Sequence, residues 1–254
     1  MKQIENQTNK KMALFASDDP DGRGWYQAFG GFMLKAGWDA YKHSQEFGLA
    51  PLDTTDFTPL IREWMAAGCD TLWANCPANF FGIMWRQANT LGFKPKLVFA
   101  SRAALFYQDI KAWGGDLPNG ITCETWWGPW VTDAKGIGDT TPQSLIDRWT
   151  KASGEPVHAM LGLDYAYIQV IADAIERAGK LDSDAVVDAL EKTDMMGVYG
   201  RIRFNPKNHQ IIPSVDPNEG AVGTIFQWQA GKRVVVFPPK IAMGEIKLPP
   251  WMKK

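Results

Sequence analysis

The sequence predicts an α/β fold whose first half is a doubly wound parallel sheet, and three observations carry this. Residues 10–29, KKMALFASDDPDGRGWYQAF, read as a buried strand (Met12 to Ala16), an acidic, Gly-containing turn (Ser17 to Gly24) and a helix, the first half of a βαβ unit. Strand and helix then keep alternating through residue 126. The strands are short and apolar, as parallel strands buried on both faces are. In such sheets ligands bind outside the carboxyl ends of the strands, which makes the Ser17–Gly24 turn the first place to look for a site.

The elements follow in order. The helix from about Gly24 to Lys35 ends at Gly37, a C-cap residue type. Trp38 to Phe47 reads as a second strand, followed by a Gly/Pro loop, GLAPLDTT. Asp56 caps a helix with Phe57, Leu60, Ile61, Trp64 and Met65 at spacings of three and four, hence one buried face. Cys69 to Asn75 is a strand and Pro77 to Gly92 a helix with Phe80, Phe81, Met84, Trp85 and Ala88 inward. Lys96 to Ala100 is a strand, Arg102 to Trp113 a helix and Ile121 to Trp126 a strand. WWGPWVTDAKGIGDTTPQ, residues 126–143, is the best linker candidate. Beyond it, helices are expected at Ser144–Ser153, Gly162–Ala178 and Ser183–Lys192. β segments follow at Gly200–Asn205, Val222–Ala230 and Arg233–Phe237, the last two joined by a turn at Ala230-Gly231-Lys232.

Composition narrows the function classes. The chain has 254 residues, 45% apolar, which suits one large or two modest domains. With 27 basic and 28 acidic residues and no basic run, a nucleic-acid partner is not expected. Twelve tryptophans suggest pocket lining as well as core. Cys69, Cys76 and Cys123 lack metal-site spacing, and Cys69 and Cys76 sit at opposite ends of one strand, too far apart for a disulfide. The polar residues 1–15 contain no signal-peptide h-region, and no stretch is apolar enough to insert in a membrane.

Several segments, in this order, resemble one family. They are DDPDGRG with its following helix, TDFTPLIREWMAAGCDTLW, MWRQANTLGFKPKL, LDYAYIQVIADAIERAGKLD with ALEKT, VYGRIRFNPKNHQ, and FQWQAGKRVVVFP. Together they resemble the type I periplasmic solute-binding proteins of ABC importers, those related to the leucine/isoleucine/valine-binding protein. The resemblance implies a periplasmic binding protein-like I fold, with two Rossmann-like doubly wound lobes joined by three crossovers. It further implies that this chain opens just ahead of lobe two, as an N-terminally incomplete member begun at an internal Met. On that reading residues 1–130 are lobe two, 131–205 the helical remainder of lobe one, and 206–254 the final crossover and strands returning to lobe two. The first lobe is then incomplete, and apolar faces bearing Leu163, Ile168, Ile171 and Ile175 lack their sheet. The implied function is capture of a small amino-acid-like or carboxylate-bearing, even aromatic, solute between two lobes, with hinge closure and delivery to a membrane permease. The parent's place is the periplasm, and no cofactor is implied.

The candidate site residues lie at strand ends. A phosphate cradle at residues 18–24 fails on charge, since three Asp residues repel phosphate and no GxGxxG or GxxxxGK is present. Asp18 and Asp19 fit a turn with an N-capping Asp. Ser17 opens this turn, and Asp21 stands where amino-acid-binding relatives often carry a solute-facing aromatic residue. Asn75 and Cys76, Ser101 and Arg102, and the Glu124–Trp127 stretch end the neighbouring strands. Arg102 suits a carboxylate bidentately. Of Trp126 and Trp127 at most one faces the solute, because adjacent strand residues point to opposite faces. Tyr165 resembles the family's helix tyrosine near the cleft, with packing as its other role. His43, His158 and His209 adjoin no nucleophile motif, and no metal site is expected. The alternatives are a Rossmann-like enzyme acting on a small molecule and a ligand-sensing regulator built on the same lobes.

Overall fold

The computed structural model describes residues 5–131, 134–157 and 159–252, so His158 lies outside the described residues. The chain forms two compact units. Unit 1 takes the chain up to Glu124, Phe226–Val236 and the segment from Met243 on; unit 2 takes Thr125–Ile225 and Phe237–Ala242. Residues 206–225 thus stay with unit 2.

Unit 1 is built on β1 (Lys11–Ser17), buried from Met12 to Ser17. Helix α1 (Pro20–Lys35) starts four residues earlier than its pattern suggested, because Asp19 caps it and Pro20 pre-sets its first turn. The long second strand expected over Trp38–Phe47 does not form. Its place is taken by β2 (Asp39–Ala40), a 3₁₀ turn at His43–Gln45 and β3 (Leu49–Ala50). Lys42 and Glu46, at φ 49° and 53°, break the extended path. Then come α2 (Thr58–Ala66), β4 (Thr71–Asn75), α3 (Ala78–Leu91) and β5 (Leu97–Ser101). Asp56 Oδ1 accepts the Thr58 N–H at 2.9 Å, although the capping position itself is Phe57. Helix α4 (Tyr107–Trp113) begins five residues later than expected. Arg102 has φ 64°, which ends the strand in a turn and not in a helix. Strand β6 spans Ile121–Thr125.

Unit 2 holds α5 (Pro142–Ser153), α6 (Leu161–Ala178), α7 (Ser183–Glu191) and an antiparallel hairpin of β7 (Asp194–Gly197) and β8 (Gly200–Arg203). A short parallel pair follows, β9 (Pro213–Ser214) with β10 (Ala221–Val222). Strands β7 and β9 were not expected from the sequence. The chain closes through β11 (Thr224–Gln229) and β12 (Lys232–Phe237), joined by Ala230 and Gly231 at positive φ, as tight hairpin loops require.

The main sheet has eight strands in the order β12-β11-β6-β5-β4-β1-β2, with β3 also on β1. The pairings of β1 with β2, β3 and β4, of β4 with β5 and of β5 with β6 are parallel. The chain leaves β1 toward β2 and returns on the other side at β4, so the strand order reverses between β1 and β4. This is the topological switch point at which sheets of this class form their crevice. One face packs Phe15 against Phe57 (5.3 Å, edge-on) and Phe80 (5.4 Å, stacked). The other packs Trp73 between Phe29 and Phe99 at 5.1 and 5.4 Å. Trp38, Trp64, Trp85, Trp113 and Trp228 are buried as well, so most of the twelve tryptophans are core.

Unit 2 has its own core around Trp127, Leu145, Val170, Val198 and Ile202. One face of α6 stays open. Ile168 and Ile171 are 68% and 44% exposed, while Leu163 and Ile175 are half-buried. Beside it lies an apolar cavity of about 500 Å³ lined by Trp126, Leu163, Tyr167, Ile171, Phe204 and Ile211.

Candidate functional site

The register of the sheet puts three polar strand ends side by side. Ala16 pairs with Asn75 and Asn75 with Ser101, so Ser17, Asn75 and Ser101 fall along the carboxyl edge of β1, β4 and β5. Just beyond them lie Asp19, Asp21 and Arg102, and Glu124 stands near the end of β6.

The turn after β1 is tightly made. Asp19 Oδ1 accepts the Gly22 N–H at 2.8 Å, and its Oδ2 accepts the Ser17 hydroxyl at 2.7 Å. Asp18 pairs with Arg23 instead, through Arg23 Nη2 at 2.8 Å. The N-terminus of α1 is therefore filled by its own carboxylate, which leaves no phosphate cradle.

Arg102 reaches this turn from β5, two strands away. Its Nη2 donates to Asp19 Oδ2 at 3.0 Å and its Nη1 to Asp21 Oδ2 at 2.6 Å. That Asp21 oxygen also accepts from Asn75 Nδ2 at 3.2 Å. Behind them, Glu124 Oε1 accepts from the Ser101 hydroxyl (2.8 Å) and the Arg102 backbone N–H (3.1 Å). Two carboxylates thus hold one guanidinium, while a third, Glu124, holds the Arg102 backbone. The hydrogen bond from Arg102 holds Asp19 well below the ordinary carboxylate range despite its burial, with help from Gly22 and Ser17. Burial works to lower the Arg102 pKa, but the bonds to Asp19 and Asp21 outweigh it and leave it raised.

The residues singled out from the sequence therefore separate. Ser17, Asp21, Asn75, Ser101 and Arg102 come together in unit 1. Cys76 is adjacent but fully buried, and burial pushes its thiol up, away from the thiolate. Trp126, Trp127 and Tyr165 belong to unit 2. There Trp127 is core and donates its indole N–H to Val198 O at 2.9 Å, whereas Trp126 is 42% exposed. The Tyr165 hydroxyl accepts the Ile137 N–H at 2.8 Å. The carboxylate-binding role expected of Arg102 meets a guanidinium already held by two carboxylates of the chain itself. Sequence reading gave Asp19 only as an N-cap and Glu124 only as one end of a strand-end stretch, and did not foresee their bonds to Arg102. The signal lay in reach: a long basic side chain at the end of β5 faces an Asp-rich turn across a single strand.

Among the described residues no group of three or more His, Cys, Asp or Glu side chains could hold a metal ion, and no helix is long and apolar enough to cross a membrane.

A sequence profile described as periplasmic binding protein matches residues 1–231. The chain belongs to the periplasmic binding protein family. Among curated relatives, the Leu/Ile/Val-binding protein homolog 7 of Brucella abortus is 26% identical over 208 residues, covering 78% of this chain and 49% of that protein. The solved structure of a chain assigned to a branched-chain amino acid ABC transporter of Silicibacter pomeroyi superposes with a TM-score of 0.79 at 18% identity, covering 99% of this chain and 65% of that one. A leucine binding protein of Thermotoga maritima gives 0.72 at 18% identity over 91% of this chain and 61% of its own. These likenesses agree with the type I periplasmic binding protein fold. The chain spans about half the length of the curated relatives it matches.

Proposed function

We propose that this chain is the solute-binding part of an ABC importer, an extracytoplasmic receptor that captures a small amino-acid-like solute and passes it to a membrane permease. The observation that carries this reading is the polar cluster at the switch point of unit 1, built from Ser17, Asn75, Ser101, Arg102 and the Asp19–Asp21 turn in a periplasmic binding protein sheet. Such sites join a few fixed polar groups to apolar walls. Trp126, half exposed, borders the apolar cavity of unit 2 itself. Cys76 and Trp127, both sealed in cores, act through packing. In this reading the chain binds without turnover.

The test is calorimetry against a panel of amino acids, amines, amides, aromatic acids and short fatty acids. Saturable binding with the solute recovered unchanged is the expected result. Turnover of any panel member, or no saturable binding by any of them, overturns the reading.

A further inference from the structure

The cavity of about 500 Å³ is built by unit 2 alone, and its walls follow from local sequence patterns. On α6, Leu163, Tyr167, Val170 and Ile171 recur at spacings of three and four, so one stripe of the helix faces it. On the strand side, alternation sorts β8 and the residue after it. Ile202 and Phe204 line the cavity, whereas their neighbours Arg201 and Arg203 turn away to the Asp194 carboxylate and the Glu219 carbonyl. Trp126 adds an indole braced on Gly223, where a Cβ would lie 3.0 Å from the ring. Among the described residues no Asp, Glu, Lys, Arg or His lines the cavity.

Tyr199 adds an independent observation. It lines the cavity and is only 7% exposed, yet its hydroxyl has no hydrogen-bond partner among the described residues. The sealed, unpaired side-chain atoms found among those residues are on Trp64, Asp70, Asn75, Trp130 and Arg203, so the small accessible part of Tyr199 includes its hydroxyl. The titratable group that acts on this hydroxyl is Tyr167, itself a wall of the cavity. Burial raises the Tyr199 pKa, so the group is a neutral O–H that can donate or accept. A buried phenol normally has a partner, and one left free on a cavity wall points to a partner that enters the cavity.

We propose that this cavity is a binding site for a small neutral aromatic molecule with one hydrogen-bonding group, oriented by the Tyr199 hydroxyl. Its volume falls in the range of small-molecule sites. Trp126, Tyr167, Tyr199 and Phe204 supply the ring faces and edges against which another ring packs well. An anion or an ammonium ion would give up its water to walls that hold no opposite charge. A polypeptide, a second copy of this chain included, would bring a row of amide groups to walls with a single buried hydroxyl. Unit 2 forms the site by itself, so its ligand and the solute proposed for unit 1 are tested separately.

Four probes share one ring and differ in one group: p-cresol, toluene, p-toluate and 4-methylbenzylammonium. Titrated at pH 7 by ligand-observed NMR, p-cresol is expected to bind about fivefold tighter than toluene, the worth of one neutral hydrogen bond. Both ions are expected to bind at least about tenfold more weakly than p-cresol. Tyr199→Phe breaks no hydrogen bond made among the described residues. It is expected to bring p-cresol down to the affinity of toluene and to leave toluene unchanged. Intermolecular NOEs from the p-cresol methyl to the methyls of Leu163 and Ile171 are expected to place the ligand. A p-cresol preference that survives Tyr199→Phe, p-toluate binding as well as p-cresol, or NOEs only to residues outside the cavity overturns the proposal. So does the absence of saturable p-cresol binding, whether the chain then sediments as a monomer or as a dimer closed over the α6 face.

Discussion

Asp19 does two jobs with one carboxylate. It caps α1 through Gly22 and receives Arg102, and Ser17 fixes its second oxygen. Its lowered pKa makes this a statement about pH. A carboxyl whose folded pKa is depressed contributes stability that is complete above its unfolded pKa, about 4, and is lost as pH falls below it. Chemical denaturation should therefore show the wild type losing stability steadily below about pH 4, and Asp19→Asn should flatten that slope. At pH 7 the substitution should cost about 1.5–3 kcal/mol, the range for hydrogen bonds to charged groups. An unchanged acid slope in the variant would assign the titration to another group. Most of this was hidden in the sequence. Asp-Asp-Pro before a helix predicts a capping Asp, and Asp19 is that residue. That Asp18 turns away to Arg23 while Asp19 meets a guanidinium 83 positions on depends on strand order, which one-dimensional spacing does not contain.

At the scale of an element, the β1–α1 turn shows why its glycines differ. A Cβ on Gly22 would lie 2.0 Å from the Ser17 carbonyl oxygen, whereas one on Gly24 would meet nothing within 4 Å. Both sit in the same helix. Gly22→Ala should force the first turn off β1 and cost about 1–3 kcal/mol, as overpacking does. Gly24→Ala should instead stabilise the helix by about 0.5–1 kcal/mol. Denaturant midpoints for the pair check this directly, and equal effects would mean that the turn is looser than its geometry implies. Elements with strong periodicity, such as α2 and α3, were legible to within a residue or two. The failures lie where local backbone overrides pattern. Trp38–Phe47 has strand composition, but left-handed Lys42 and Glu46 fold it into a 3₁₀ turn. Arg102 delays α4 by the same device. None of these three residue types announces a positive φ as glycine does. Tryptophan content was uninformative for a different reason: a large apolar ring is equally at home in a pocket and in a core, and here Trp64, Trp85 and Trp228 are fully buried.

At the scale of the molecule the two units differ in how completely each closes its own core. Unit 1 covers both faces of its central strands, with Met12 to Ala16 wholly buried between aromatic layers. Unit 2 leaves one face of α6 uncovered, with Tyr167, Ile168 and Ile171 in solvent beside the apolar cavity. Exposed apolar surface of this kind contributes nothing to stability and offers a binding place for hydrophobic dyes. Local stability follows buried apolar contact, so the units should part on denaturation. Hydrogen exchange is expected to find amides of α6 and α7 opening at lower denaturant than those of β1, β4 and β5. Dye fluorescence should be high in the folded chain, and Ile168→Ser with Ile171→Ser should lower it without moving the unfolding of unit 1. Dye binding unaffected by this pair would place the open surface elsewhere. Exchange protection lost together across both units would show one cooperative structure, and the uncovered face of α6 would then carry no penalty that the rest of the chain does not share.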